Sequence, residues 1–198
     1  PKLSWDELVQ LSTSSRRDHD YVFKMVSVRQ LGQVDPLVDH VAVENGQIVG
    51  RSPGLKHNAF LVSELAVENF RLTLEVKLAP NAENSGIQFR SQPQANGEVK
   101  GYQADIGSGW WGKLYEELGR GLLWKEPGDR HVKVDDWNKY EIVAVGSRIR
   151  TWINGQPCVD LDDPEGARRG VIAFQLHSGG ALEVRFRNLK LEALPITA

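Results

Sequence analysis

From Phe70 to Leu78 the chain alternates without a break: Phe70, Leu72, Leu74, Val76 and Leu78 are apolar, and Arg71, Thr73, Glu75 and Lys77 between them are polar. Successive side chains of a strand point to opposite faces, so this alternation describes a half-buried β-strand. From Gln47 onward the same texture recurs as short β-type runs separated by Gly, Pro and Asn clusters. Strands are expected at Ala59–Ser63, Gly86–Ser91, Gly101–Ile106, Lys113–Glu117, Lys139–Val145, Ile149–Ile153, Gly170–His177 and Leu182–Leu191, with Asn154-Gly155 as a hairpin turn. Short strands at this spacing predict an all-β, antiparallel β-sandwich. Only residues 1–45 read differently. There Leu3, Leu8 and Leu11, around Trp5, allow one short N-terminal helix before a polar stretch.

Three of these strands carry unusual polar residues on the parity opposite their apolar ones. Gln88 and Arg90 alternate with Ile87 and Phe89, Gln103 and Asp105 with Tyr102, Ala104 and Ile106, and Gln175 and His177 with Ile172, Phe174 and Leu176. Solvated sheet faces favour Thr, Lys and Glu, whereas Gln, Arg, Asp and His make directed hydrogen bonds to neutral hydroxyls. The set therefore predicts a shared polar face for a hydroxylated ligand. Aromatic residues follow closely: Trp110-Trp111 in a Gly-rich loop, then Tyr115 and Trp124. Two adjacent tryptophans cannot both face the same side of an extended segment, so at least one is expected to be exposed. The other reading for either is closure of the sandwich end. Trp111 and Tyr115 are the stacking candidates, and Glu64 and Glu116 further candidates for lining a groove.

Composition narrows the classes. At 198 residues, with 40% hydrophobic and 25% charged residues, the chain is expected to form a single domain over 1–198. A formal net charge of −2 without a basic stripe argues against a nucleic-acid partner. No apolar run approaches the ~20 residues needed to cross a bilayer. The lone Cys158 rules out an internal disulfide, and the five histidines show no paired ligand spacing, so no metal set is read. Nucleotide-binding glycine motifs are absent, so no cofactor is expected. The chain opens at Pro1 with no charged-then-apolar leader, and export to the periplasm or beyond is the expectation. The oligomeric state is left open.

Seven motifs in order carry a family resemblance: Asn84-Ser85-Gly86-Ile87-Gln88-Phe89-Arg90-Ser91, Gly101-Tyr102-Gln103-Ala104-Asp105-Ile106, Gly112-Lys113-Leu114-Tyr115-Glu116-Glu117, Trp137-Asn138, Ile149-Arg150-Thr151-Trp152-Ile153-Asn154-Gly155, Gly170 to Gly179, and Phe186-Arg187-Asn188-Leu189. Over residues 44–194 the chain resembles the bacterial 3-keto-disaccharide hydrolase domains. The resemblance implies a concanavalin A-like jelly roll and a carbohydrate partner. It also implies cleavage of 3-keto-glycosides, by hydrolysis or by elimination followed by hydration.

The E-x-D-x-x-E pattern of retaining glycosidases on this architecture is missing, so a paired-carboxylate mechanism has little support. Elimination next to a ketone needs instead a base near C2, a donor for the enolate oxygen and a proton source for the leaving group. His177 or Asp105 is the candidate base, Arg90 the candidate oxyanion stabiliser, and Gln88, Gln103, Gln175 and Tyr115 the hydroxyl-positioning groups. Arg90 has a second reading as a structural ion-pair partner of Asp105 or Glu116. A non-catalytic carbohydrate-binding module and a surface assembly module are the competing functions.

Overall fold

The computed structural model describes residues 25–27 and 40–195. They form two seven-stranded antiparallel sheets facing each other across an apolar core, a β-sandwich of jelly-roll type. The first sheet runs β1 (Met25–Ser27), β4 (Ala59–Val67), β13 (Gly170–Leu176), β6 (Asn84–Pro93), β7 (Val99–Gly107), β8 (Leu114–Glu117), β9 (Gly121–Trp124). The second runs β12 (Gln156–Asp162), β11 (Arg148–Ile153), β10 (Asn138–Val145), β5 (Phe70–Ala79), β14 (Leu182–Ala193), β3 (Gln47–Ser52), β2 (Val41–Glu44). The N-terminal helix expected from the sequence lies outside the described residues. No helix among the described residues is long and apolar enough to cross a membrane.

The alternating run became β5, at the centre of the second sheet. Phe70, Leu72, Leu74, Val76 and Leu78 are at most 2% exposed. They meet Ala144, Ile142 and Tyr140 of β10 on one side and Phe186 and Val184 of β14 on the other. Burying each such side chain stabilises the fold by about 1.5–3 kcal/mol. Ile87, Phe89, Tyr102, Ala104, Ile106, Phe174 and Leu176 close the core from the first sheet.

Every strand expected from alternation is present, with ends that differ from the expected ones by up to four residues. Asn154 (φ 51°) and Gly155 (φ 80°) make the expected hairpin turn, and Asn45 (φ 49°) and Gly46 (φ 75°) repeat it between β2 and β3. β1, β2, β3, β9 and β12 were not expected from the sequence. Of these β1, β2, β9 and β12 are sheet edges, where one side is unpaired and alternation weakens. Pro157 within β12 is tolerated for the same reason.

One irregularity matters for the site. Between Phe89 and Gln92 the pairing of β6 with β7 slips, and Arg90 takes a left-handed backbone (φ 49°). Opposite this bulge is Gly170, where an added Cβ would lie 2.3 Å from the Arg90 carbonyl carbon and 2.4 Å from the Ser91 nitrogen. Only glycine lets β13 approach so closely.

Candidate functional site

Strand register builds two rows of side chains on the face of the first sheet that points away from the core. One row runs Phe60, Gln175, Gly86, Asp105, and the next Val62, Ala173, Gln88, Gln103, Tyr115. Cross-strand partners share a face, so the two rows lie side by side. At their β4 end Phe60, Val62, Ala173 and Val99 make a second, small apolar cluster. At the other end stand amides and carboxylates. A cavity of about 20 Å³ lined mainly by Val41, Ile48, Ala59, Leu61, Phe174 and Phe186, with Gln175 its one polar residue, lies instead between the sheets, and its largely apolar walls do not suit a hydroxylated ligand.

Gly86 organises the polar rows. A Cβ there would lie 2.4 Å from Gln103 Cδ and 2.6 Å from its Cγ, so the Gln103 side chain lies directly across the glycine. In that position Gln103 Nε2 donates to Asp105 Oδ1 at 2.9 Å, and Gln103 Oε1 accepts from Gln88 Nε2 at 3.3 Å. An ionised Asp105 only accepts, which fixes the direction of both amides. The relay leaves acceptors without donors: Gln88 Oε1, Asp105 Oδ2 and Gln175 Oε1 are buried and unpartnered. Each such group costs about 1–3 kcal/mol while it lacks a donor. A ligand that fits this floor brings hydroxyl donors.

Burial pushes the Asp105 carboxyl up to about 7; the Gln103 hydrogen bond and the Lys113 charge work against the rise, and the Glu117 charge adds to it. Glu117 is itself raised, chiefly by burial and then by Glu98, with His177 opposing. Asp105 can thus exchange a proton near neutrality, the property a general base or acid requires. Among the described residues no group of three or more His, Cys, Asp or Glu side chains is arranged to hold a metal ion.

The structure brings together Gln88, Gln103, Asp105, Gln175 and Tyr115 as the sequence pattern requires. His177 follows the end of β13, half-buried, with Nδ1 hydrogen-bonded to the Ser178 carbonyl. A carbonyl only accepts, so Nδ1 carries the proton and Nε2 keeps its lone pair in the neutral ring. Glu64 is exposed, in the segment where the pairing of β4 with β13 is irregular.

Three side chains are placed otherwise than expected. The bulge turns Arg90 off the polar face. Its guanidinium donates to the carbonyls of Glu68 (2.8 Å), Gly146 (2.8 Å) and Ala167 (3.4 Å) and to Asn69 Oδ1 (3.4 Å). It ties the loops at one end of the sandwich together, and pairs with neither Asp105 nor Glu116. Burial and the neighbouring Arg168 lower it to about 10, so it remains charged at neutral pH. Glu116 is opposite Tyr102, on the other parity from Tyr115. It is bonded to Arg120 Nε at 2.5 Å, and Arg120 also grips Asp163, which accepts from the Tyr102 hydroxyl at 2.5 Å. Trp111 is 1% exposed, packed in the core with Nε1 donating to Asn81 Oδ1 at 2.7 Å, while Trp110 is 39% exposed.

Lys113 and Glu117 were not among the site residues expected from the sequence. Both share the parity of Tyr115, and strict alternation would have chosen Glu117 over Glu116.

The family model for the 3-keto-alpha-glucoside-1,2-lyase-like domain matches residues 11–192. The chain belongs to this family. The match to the 3-keto-alpha-glucoside-1,2-lyase-like family starts about thirty residues before residue 44, where the sequence resemblance begins, and takes in the whole polar face. No curated protein matches the chain. Among solved structures, a putative glycosyl hydrolase from Parabacteroides distasonis is similar at 20% identity and TM-score 0.61, over 86% of this chain and 100% of that one. The carbohydrate-binding module CBM66 from Bacillus subtilis is similar at 17% identity and TM-score 0.59, over 86% and 96%. A Bacillus subtilis protein of unknown function with a galectin-like fold is similar at 10% identity and TM-score 0.59, over 77% and 86%. Likeness at this level concerns the fold. It sets the family's lyase-like domain on an architecture that also carries sugar-binding modules.

Proposed function

We propose that this domain binds a neutral sugar ring on the Gln88–Gln103–Asp105–Gln175 floor and cleaves the glycosidic bond of 3-keto-glycosides by elimination. The observation that carries the reading is Asp105 Oδ2, a buried carboxylate oxygen with no donor, on a group titrating near neutrality and surrounded by amide acceptors. The chemistry balances without a redox partner, because the substrate arrives as a ketone. Asp105 takes the C2 proton, and the C2–H electron pair passes into the ketone to give an enolate. When the carbonyl re-forms, the C1=C2 bond forms and the C1–O bond breaks, its electron pair leaving on the aglycone oxygen. Glu117, held protonated to a higher pH than an exposed glutamate, supplies the proton that oxygen takes. Addition of water across the new double bond completes net hydrolysis.

The test offers purified protein a panel of 3-keto-disaccharides in D₂O. Expected are an unsaturated keto-sugar or its hydrate, with deuterium at C2 of the hydrate and of the recovered substrate. Asp105→Asn is expected to abolish both while leaving sugar affinity within a few-fold. A second reading, carbohydrate binding without cleavage, rests on the three floor glutamines, which recognise hydroxyls and carry out no acid–base chemistry. Measurable binding of the whole panel with no product and no exchange would establish that reading instead.

A further inference from the structure

Arg90, expected to receive the enolate charge, is turned into the loops, and Arg120 is occupied by Glu116 and Asp163. Lys113 occupies the matching position. Leu114, the first residue of β8, pairs with Ala104 in the core, so Lys113 just before β8 and Asp105 on β7 fall together on the outer face. The Asp105 N–H donates to the Lys113 carbonyl at 3.2 Å, which makes Lys113 the next member of the row Gln175, Gly86, Asp105. The ammonium is steered as well: Nζ lies 4.8 Å from the centre of the Trp110 ring, a cation–π distance. Trp110 in turn sits on an anchored loop. The Gly109 N–H donates to Asp129 Oδ1 at 2.6 Å, the Ser108 N–H to the Asn81 carbonyl at 2.8 Å, and the neighbouring Trp111 is locked in the core.

We infer that Lys113 is a catalytic residue of this site, the cation that stabilises the C3 enolate oxygen while Asp105 removes the C2 proton, and that Trp110 positions it. The inference rests on the elimination reading above. In the ground state the ketone oxygen is neutral and Lys113 gains little from it. As the C2–H pair moves onto that oxygen, a full negative charge develops beside the ammonium of the half-buried Lys113, and the interaction strengthens where it accelerates the reaction. The same charge acts on Asp105, as does that of Glu117 on β8, with Glu98 and His177 acting on Glu117 in turn. Removing the lysine charge moves the Asp105 titration upward.

The experiment compares wild type, Lys113→Met, Lys113→Arg and Trp110→Leu on one 3-keto-disaccharide across pH. Losing one oxyanion donor typically lowers kcat by about 10²–10³-fold. Lys113→Met is expected to lose that much with KM within about threefold, and the acid limb of its kcat/KM profile to move to higher pH. Lys113→Arg is expected to recover a large part of kcat, and Trp110→Leu to lose about tenfold through a misplaced ammonium. Thermal unfolding of each variant separates folding defects from chemistry, and Lys113→Arg keeps the test valid should the Met variant fold poorly. A Lys113→Met kcat within threefold of wild type, or a loss confined to KM, overturns the role of Lys113 and leaves the elimination reading standing. Absence of turnover by the wild type overturns both.

Discussion

Asp105→Asn is expected to stabilise the protein at alkaline pH and to do so progressively less as pH falls. Burial raises the folded-state carboxyl from 3.8 to about 7, so between those values the folded protein binds a proton that the unfolded chain does not. Stability contributed by this proton is present in full below 3.8, declines as pH rises towards 7, and is gone above it. At about 1.4 kcal/mol per pH unit the interval corresponds to roughly 4 kcal/mol of destabilisation at pH 8. The asparagine keeps the acceptor for Gln103 Nε2 and has no charge to desolvate. Urea unfolding of both proteins at several pH values measures the effect, and taking the difference cancels the other titrating groups. From pH 4.5 to 8.5 the variant should gain about 3 kcal/mol relative to wild type. A difference that stays within about 1 kcal/mol across that range would refute the argument that Asp105 is held in a desolvating site. The gain would mark a carboxylate kept at a cost to the fold, as groups that do chemistry often are.

Two further outcomes test the frame around the site. Gly86→Ala should push Gln103 off the glycine, break its bond to Asp105 and lower sugar affinity at least about tenfold by calorimetry, with a folded circular dichroism spectrum; unchanged affinity would refute the assignment of this floor. Arg90→Met should leave the carbonyls of Glu68 and Gly146 without their donor and destabilise the protein by roughly 3–5 kcal/mol in urea unfolding. Its folded fraction should bind sugar normally, whereas lost binding at unchanged stability would return Arg90 to the site.

What was legible in the sequence was whatever depends on period alone. Alternation at Phe70–Leu78 and in β6, β7 and β13 determined the strands, the side that is core and the side that carries Gln88, Gln103, Asp105 and Gln175, because a strand leaves a side chain only two directions to point. Ordered motifs then determined the family. Tertiary structure decided everything that breaks the period or depends on neighbours. A single bulge opposite Gly170 reverses Arg90, and no alternation rule reports a bulge in advance. The choice between Trp110 and Trp111 follows from which ring finds Asn81 and the core, whereas the parity of Glu117 with Tyr115 was already written in the period. The raised titration of Asp105 belongs wholly to three dimensions. Sequence names the carboxylate, but its proton affinity is set by burial, by the amide lying across Gly86 and by the charges of Glu117 on β8 and of Lys113 just before it.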